Sequence, residues 1–468
     1  SVRGSPRAPL PYCCSISLTM QPMELDDGPQ PEGYGAGRAA TILVAECVGT
    51  GVLALPYVAS VLGTGPFLLF VAVQVALNLY AGELLATAAE MSERRTNYET
   101  CRTTTSALWD FVDDTDNIDW DTGEPKSPTT RPRDMLELAQ GLDAGRPLRA
   151  LVASAWYGNL VLILAQYLVV MARSLRVAFP LPGCAVVESL LIAALTAWLI
   201  AQLPTLDALG KGAAQLSFAS VVAILAICAR HTQNGPPPVV VEDASAAAVA
   251  ASLTTVTFAM ITSKLFLNVR REMRDPREAR KTLRYGIAAF TCVYVVVVFL
   301  SGPEPPRFLL DAVHHGTDGR IAAGLLFAHV AVSYAINQNV LARTLERYLG
   351  HTLSRRGWAL MTAALTLSSL LIAVLVPVFS DLVAVIGALT SGPLGFAVPA
   401  LLFDLATRES DVKRRRKGVI SLVLFTVVLT IAGTTGAIVR TVKDWEAQER
   451  SAPGVRGFFC AEQASSMS

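Results

Sequence analysis

The sequence is short of charge. Only 16% of its 468 residues are Asp, Glu, Lys or Arg, where soluble domains carry about 25%. Net charge is +1, which disfavours a nucleic-acid partner. Histidine is scarce: His231, His314, His315, His329 and His351 form no ligand-spaced cluster. The 8 cysteines are scattered, and none forms a C-x-x-C pair with a histidine partner. Neither a metal site nor a disulfide framework is read from them. There is no N-x-S/T acceptor, no nucleotide-binding motif and no repeated filter-like element. These absences count against a membrane enzyme, a primary pump and a channel.

What is abundant is apolar. Hydrophobic residues make up 52% of the chain, and runs near the length that crosses a ~30 Å hydrocarbon core recur from residue 39 to residue 441. A soluble protein can bury one such helix but has no core for eleven. Eleven spans are expected, at about 39–61, 65–89, 150–173, 185–204, 212–229, 247–269, 285–302, 320–344, 357–378, 380–404 and 418–440. Pro377 and Asp381 read as a tight turn between the ninth and tenth. The chain thus divides into a disordered tail (1–38), a membrane domain (39–441) and a short tail (442–468). The first tail shows no signal-peptide pattern. Residues 90–149 form one long polar insert carrying Asp110, Asp113, Asp114, Asp116, Asp119 and Asp121. Their spacing does not match a calcium loop, so a solvated loop is expected. Lys and Arg outside the spans divide 29 to nine between the two sides, which places the amino terminus and the 90–149 insert in the cytoplasm. The basic "NVRREMRDPREARKTLRYG" is expected to be an amphipathic juxtamembrane helix.

The first span reads "ATILVAECVGTGVLALPYVASVLG". Gly49 and Gly51 flank Thr50, and Pro56 follows. Such a run either unwinds, presenting backbone groups to a substrate, or merely packs closely and kinks. Glu46 lies about one turn before the glycines, and Lys264 is the only basic residue within a span. An ionisable side chain there is costly unless it faces the bundle interior, a partner or water. Three roles stand for Glu46: a proton-coupling carboxylate, a structural ion pair with Lys264, or a residue at the cytoplasmic mouth. Thr50, Thr262 and Ser263 are candidate substrate contacts or backbone caps. Tyr157, Asn159, Gln166 and Tyr167, with Tyr334, Asn337 and Asn339, place polar tips along the third and eighth spans. They either line a pathway or bond helix to helix.

Four stretches resemble the amino acid/auxin permease family, which is eukaryotic. They are "VGTGVLALPYVASVLG" (48–63), "FLNVRREMRDPREARKTL" (266–283), "AHVAVSYAINQNVLARTLE" (328–346) and "LVPVFSDLVAVIGALTSGPLGFAVPALLF" (375–403). Their order and spacing cover about residues 38–440. The resemblance implies an all-α polytopic protein with an eleven-helix, 5+5 inverted-repeat (LeuT-like) fold whose first and sixth helices are broken. It implies secondary transport of amino acids by alternating access. The expected coupling ion is H+, with Na+ the alternative. Carried over by position, Gly49, Thr50, Gly51 and Leu53 would lie beside the substrate's amino and carboxylate groups, and Thr262 and Ser263 near the second break. The sixth span departs from the family by offering "FAMITSK" with no glycine. Another small organic solute, or an amino acid sensor or scaffold that no longer transports, are the alternative functions. The membrane is either the plasma membrane or a vacuolar or lysosomal one.

Overall fold

The computed structural model describes residues 34–107, 131–132, 134–179, 185–202, 206–232, 244–313, 316–349, 353–376, 378–408 and 416–451. Its long elements are all helices, since a segment in hydrocarbon must satisfy its own backbone N–H and C=O groups. α1 (Ala36–Cys47) leads to a 3-10 turn at Thr50–Ala54 and then to α2 (Leu55–Leu62). Pro56 sits in the first turn of α2, where its missing N–H removes no intrahelical bond. The two halves of this span meet at 47°. There follow α3 (Thr64–Ala107), α4 (Met135–Gly141), α5 (Arg146–Ala178), α6 (Ala185–Ile200), α7 (Leu206–Thr232), α8 (Ala246–Met260), α9 (Ser263–Glu272) and α10 (Ala279–Leu300). The chain ends with α11 (Thr317–Leu349), α12 (Arg355–Leu375), α13 (Phe379–Ile386), α14 (Val398–Ala406) and α15 (Arg416–Ser451).

Helices occupy all eleven expected positions, but not all of them qualify as spans. Among the described residues eight are long and apolar enough to cross a membrane, or nine with the bent pair counted as one. The difference from eleven falls at α6 and α7, whose apolar helices among the described residues run over Val186–Ile200 and Ala219–Thr232 and are shorter than a span. The sixth span differs too. It is interrupted at Ile261 and Thr262, between α8 and α9, yet continues as one span over Ala246–Glu272. Among the described residues only the first span bends by more than 40°.

Apolar side chains face outward where lipid would lie. Along α12, Leu360 is 72% and Leu367 66% exposed, and Leu371 and Leu375 continue the stripe. Water would penalise such a surface, whereas hydrocarbon matches it. Buried at the centre is the stretch Phe379–Ala406, where two π-helical turns, Gly387–Ser391 and Pro393–Ala397, join α13 to α14. Pro393 has no N–H to donate, which favours a local change of helical register. Gly387 lies so close to α8 that a Cβ would collide with the Thr254 carbonyl.

Two polar segments differ from expectation. Part of the 90–149 insert is folded: Asp134 caps α4 by accepting from Leu136 and Glu137 N–H, and Met135, Leu138 and Ala139 are buried. The acidic run, Pro377 and the His314–His315 pair lie outside the described residues. The basic segment after the sixth span is not one amphipathic helix. α9 ends at Glu272, Asp275 caps a short turn at Pro276–Glu278, and α10 begins at Ala279. Arg270 is buried and pairs twice with Glu93 of α3, at 2.5 and 3.0 Å.

Candidate substrate site

Two interruptions lie near each other at the centre of the bundle. At the first, α1 closes with Val48 N–H donating to Val44 O (2.8 Å), and Gly49 is extended (φ −108°, ψ −151°). The Thr50 hydroxyl accepts from the Gln166 amide of α5 at 2.8 Å. Gly51 packs on α8: a Cβ there would meet Phe258 at 3.2 Å and Ala259 at 3.3 Å. Leu53 is buried. At the second, Thr262 N–H reaches Asn78 Oδ1 of α3 at 3.3 Å. Ser263 Oγ donates to Gly395 O in the second π turn at 3.0 Å. Asn159 of α5 donates to Thr390 Oγ1 (2.8 Å) and Ser391 Oγ (3.2 Å) in the first π turn.

A cavity of about 460 Å³ adjoins these breaks. Its walls come from α1 (Ile42, Glu46), α5 (Trp156, Asn159, Ile163, Tyr167), α9 (Lys264, Asn268, Val269) and α11 (Ile336, Asn337). All the α1 residues precede the first break and all the α9 residues follow the second, so the cavity lies on one side of both. Tyr34 and Glu272 also line it, and the two segments are tied: Tyr34 N–H donates to Glu272 O (2.9 Å) and Arg274 N–H to Tyr34 O (3.1 Å). Glu46 is exposed although it lies within a bundle span, because its surface faces this cavity. Lys264 is within electrostatic reach of Glu46. Instead of pairing directly, the Lys264 Nζ sits 5.6 Å from the centroid of the Phe258 ring.

Among the sequence candidates, Glu46, Lys264, Asn159, Tyr167 and Asn337 come together on the cavity wall. Gly49, Thr50, Gly51, Leu53, Thr262 and Ser263 lie at the breaks and are not on its lining. Tyr157 and Tyr334 are not on it either, and the Tyr334 hydroxyl donates to Thr366 of α12 at 3.2 Å. Gln166 is committed to Thr50. Trp156 and Asn268 line the cavity and were not anticipated. Trp156 reads as one more large residue in an apolar span, and Asn268 sits in the charged stretch that ends the sixth.

The far side of the breaks is sealed. Asp381, expected in a tight turn between spans, lies fully buried in the first turn of α13 and pairs with Arg440 of α15 at 2.8 Å. Arg440 also donates to Ser380 Oγ at 2.5 Å. The guanidinium groups of Arg440 and Arg307 lie 5.1 and 5.7 Å from the ring centroid of Tyr57 on α2. Arg307 pairs with Asp444 and Arg173 with Asp311, while Phe308 packs edge-on against Phe379.

Fold and site together define a multi-pass, all-helical integral membrane protein. A polar, charged cavity ends at interrupted helices, and beyond them lies the buried Asp381–Arg440 ion pair. The chain belongs to the family described as Transmembrane amino acid transporter protein, whose profile matches residues 32–441. A curated relative, "Amino acid transporter AVT3C" of Arabidopsis thaliana, is 24% identical over 185 residues, or 37% of this chain. The matched region spans 40% of that relative's length. A solved structure titled "Crystal structure of MhsT in complex with L-phenylalanine" aligns with 87% of this chain and all of its own, at 16% identity and a TM-score of 0.49.

Proposed function

We propose that the protein is a secondary transporter that carries amino acids across its membrane by alternating access, coupled to protons through Glu46. The observation that carries the reading is the one-sided cavity, where a carboxylate, an ammonium group and several amides converge beside interrupted helices. Helix ends and unwound backbone offer partial charges suited to the carboxylate and ammonium of an amino acid. Membership of an amino acid transporter family supports this substrate class. With the amino terminus in the cytoplasm, the cavity opens inward and the Asp381–Arg440 seal closes the opposite entrance. The expected 5+5 repeat makes spans 1 and 6 counterparts, in keeping with interruptions in both. Plasma and vacuolar or lysosomal membranes both suit this reading.

The test is uptake of a panel of labelled amino acids into proteoliposomes, with and without an imposed proton gradient, first in the absence of sodium and then with sodium restored. Saturable, gradient-dependent uptake of one subset is expected. Gradient-independent flux that requires sodium would replace the proton by Na+. Absence of flux from folded protein under every condition would sink the transport reading in favour of a sensor or another solute.

A further inference from the structure

Tyr294 is fully buried in a run of valines on α10, remote in sequence from both interruptions, yet its hydroxyl touches each of them. It lies 2.6 Å from the Cys47 carbonyl, where α1 ends, and 2.9 Å from the Ala259 carbonyl, in the last turn of α8. Helix ends leave such carbonyls without an intrahelical donor, and in a buried setting they take partners from outside the helix. The Cys47 carbonyl also accepts from Gly49 N–H at 2.8 Å, so Tyr294 is its second donor and the one that links it to α8. They also carry the negative end of their helix dipoles, so two of them facing each other repel. The hydroxyl has one proton to donate, shared between two acceptors.

We propose that the Tyr294 hydroxyl is the positioning group of the substrate site, holding the carbonyl ends of both interrupted helices at one fixed spacing. The inference rests on the transport reading above and names a residue for it. With the Cys47 and Ala259 carbonyls engaged, the backbone nearest a ligand lies further into each break, at 48–51 and 261–262, where several groups already hold local bonds such as Val48 N–H to Val44 O and Thr262 N–H to Asn78. In transporters with discontinuous helices, free carbonyls at such ends coordinate coupling cations. Here a neutral hydroxyl fulfils that bridging role, in keeping with coupling through a proton elsewhere in the cavity.

Tyr294→Phe tests this, because it keeps the ring and its 5.3 Å packing on Phe290 while deleting the hydroxyl. Two readouts are taken: uptake kinetics in proteoliposomes, and hydrogen exchange of amides 48–53 and 261–266. Expected are a KM raised at least tenfold, a maximal rate within threefold of the parent, and exchange about tenfold faster at both breaks. Phe290→Leu, which loosens the same packing and leaves the hydroxyl, is expected to lower thermal stability with KM and exchange unchanged. A Tyr294→Phe variant with KM within twofold and unaltered exchange overturns the proposal. So does a fall in maximal rate alone. Should the parent protein carry no amino acid in the panel, the transport reading fails separately, and the exchange measurement alone decides whether Tyr294 braces the breaks.

Discussion

Removing the Asp381 carboxylate is expected to unseal the face opposite the cavity. Asp381 is fully buried and the Arg440 side chain is 7% exposed, with 2.8 Å between them. Deleting one member of a buried pair costs about 3–5 kcal/mol, because the other charge is left without compensation. The pair joins α13 to α15 beside Tyr57 of α2. If the seal opens by parting these elements, the cost falls on the sealed state alone. A loss of ~3 kcal/mol then shifts the balance toward the unsealed state by more than 100-fold. The assay uses Ser380→Cys, a buried position within the seal, in a background without other reactive cysteines, and a membrane-impermeant thiol reagent applied from the sealed side. Labelling should be slow in that parent and at least tens of times faster when Asp381→Ala is added. The double change Asp381→Ala with Arg440→Met removes both charges, so it should recover most of the lost thermal stability and return labelling toward the parent rate. Labelling of the Asp381→Ala protein within twofold of the parent, in protein that elutes as folded, would refute the reasoning.

Glu46→Gln should abolish the stimulation of uptake by a proton gradient while leaving counterflow exchange intact; stimulation that persists in the variant would remove Glu46 from the coupling step. Gly387→Ala drives a Cβ into the Thr254 carbonyl. Overpacking of this kind costs about 1–3 kcal/mol or more, so the melting temperature should fall by several degrees. Gly37→Ala, in α1 with nothing within 4 Å of the added carbon, should instead gain about 0.5–1 kcal/mol. Equal melting temperatures for these two variants would show that the close approach of α8 to the first π turn is not under constraint.

Much of the fold was legible because hydrocarbon imposes a length and a polarity on every crossing segment. The run 357–378 found its helix in α12 within a few residues, and 418–440 lies within α15, which continues to Ser451. The first interruption was legible for a local reason: Gly49, Gly51 and Pro56 all disfavour a continuous helix. Glu46 and Lys264 stood out because charge within a span needs a polar partner or water, and both proved to line the cavity. The second interruption has no such local cause in "FAMITSK". Its backbone departs from the helix at Ile261 and Thr262, where Asn78, about 180 residues earlier, accepts from the freed Thr262 N–H. The span count differs at α6 and α7, whose apolar helices among the described residues are shorter than a span.

What the sequence determined by itself is the solvent for which the chain is made, the placing of its helices, one of the two breaks, and its family through four separated motifs. Those are properties of segments, written in runs of adjacent residues. Tertiary structure alone decided which polar groups meet. Tyr294, alone among valines, reaches two helix ends more than 200 residues apart. Asp381 finds Arg440 59 positions on, and Gln166 finds Thr50 116 positions back. Each such pairing depends on how helices cross and rotate about their axes, and periodicity within one helix carries no information about its neighbour's register.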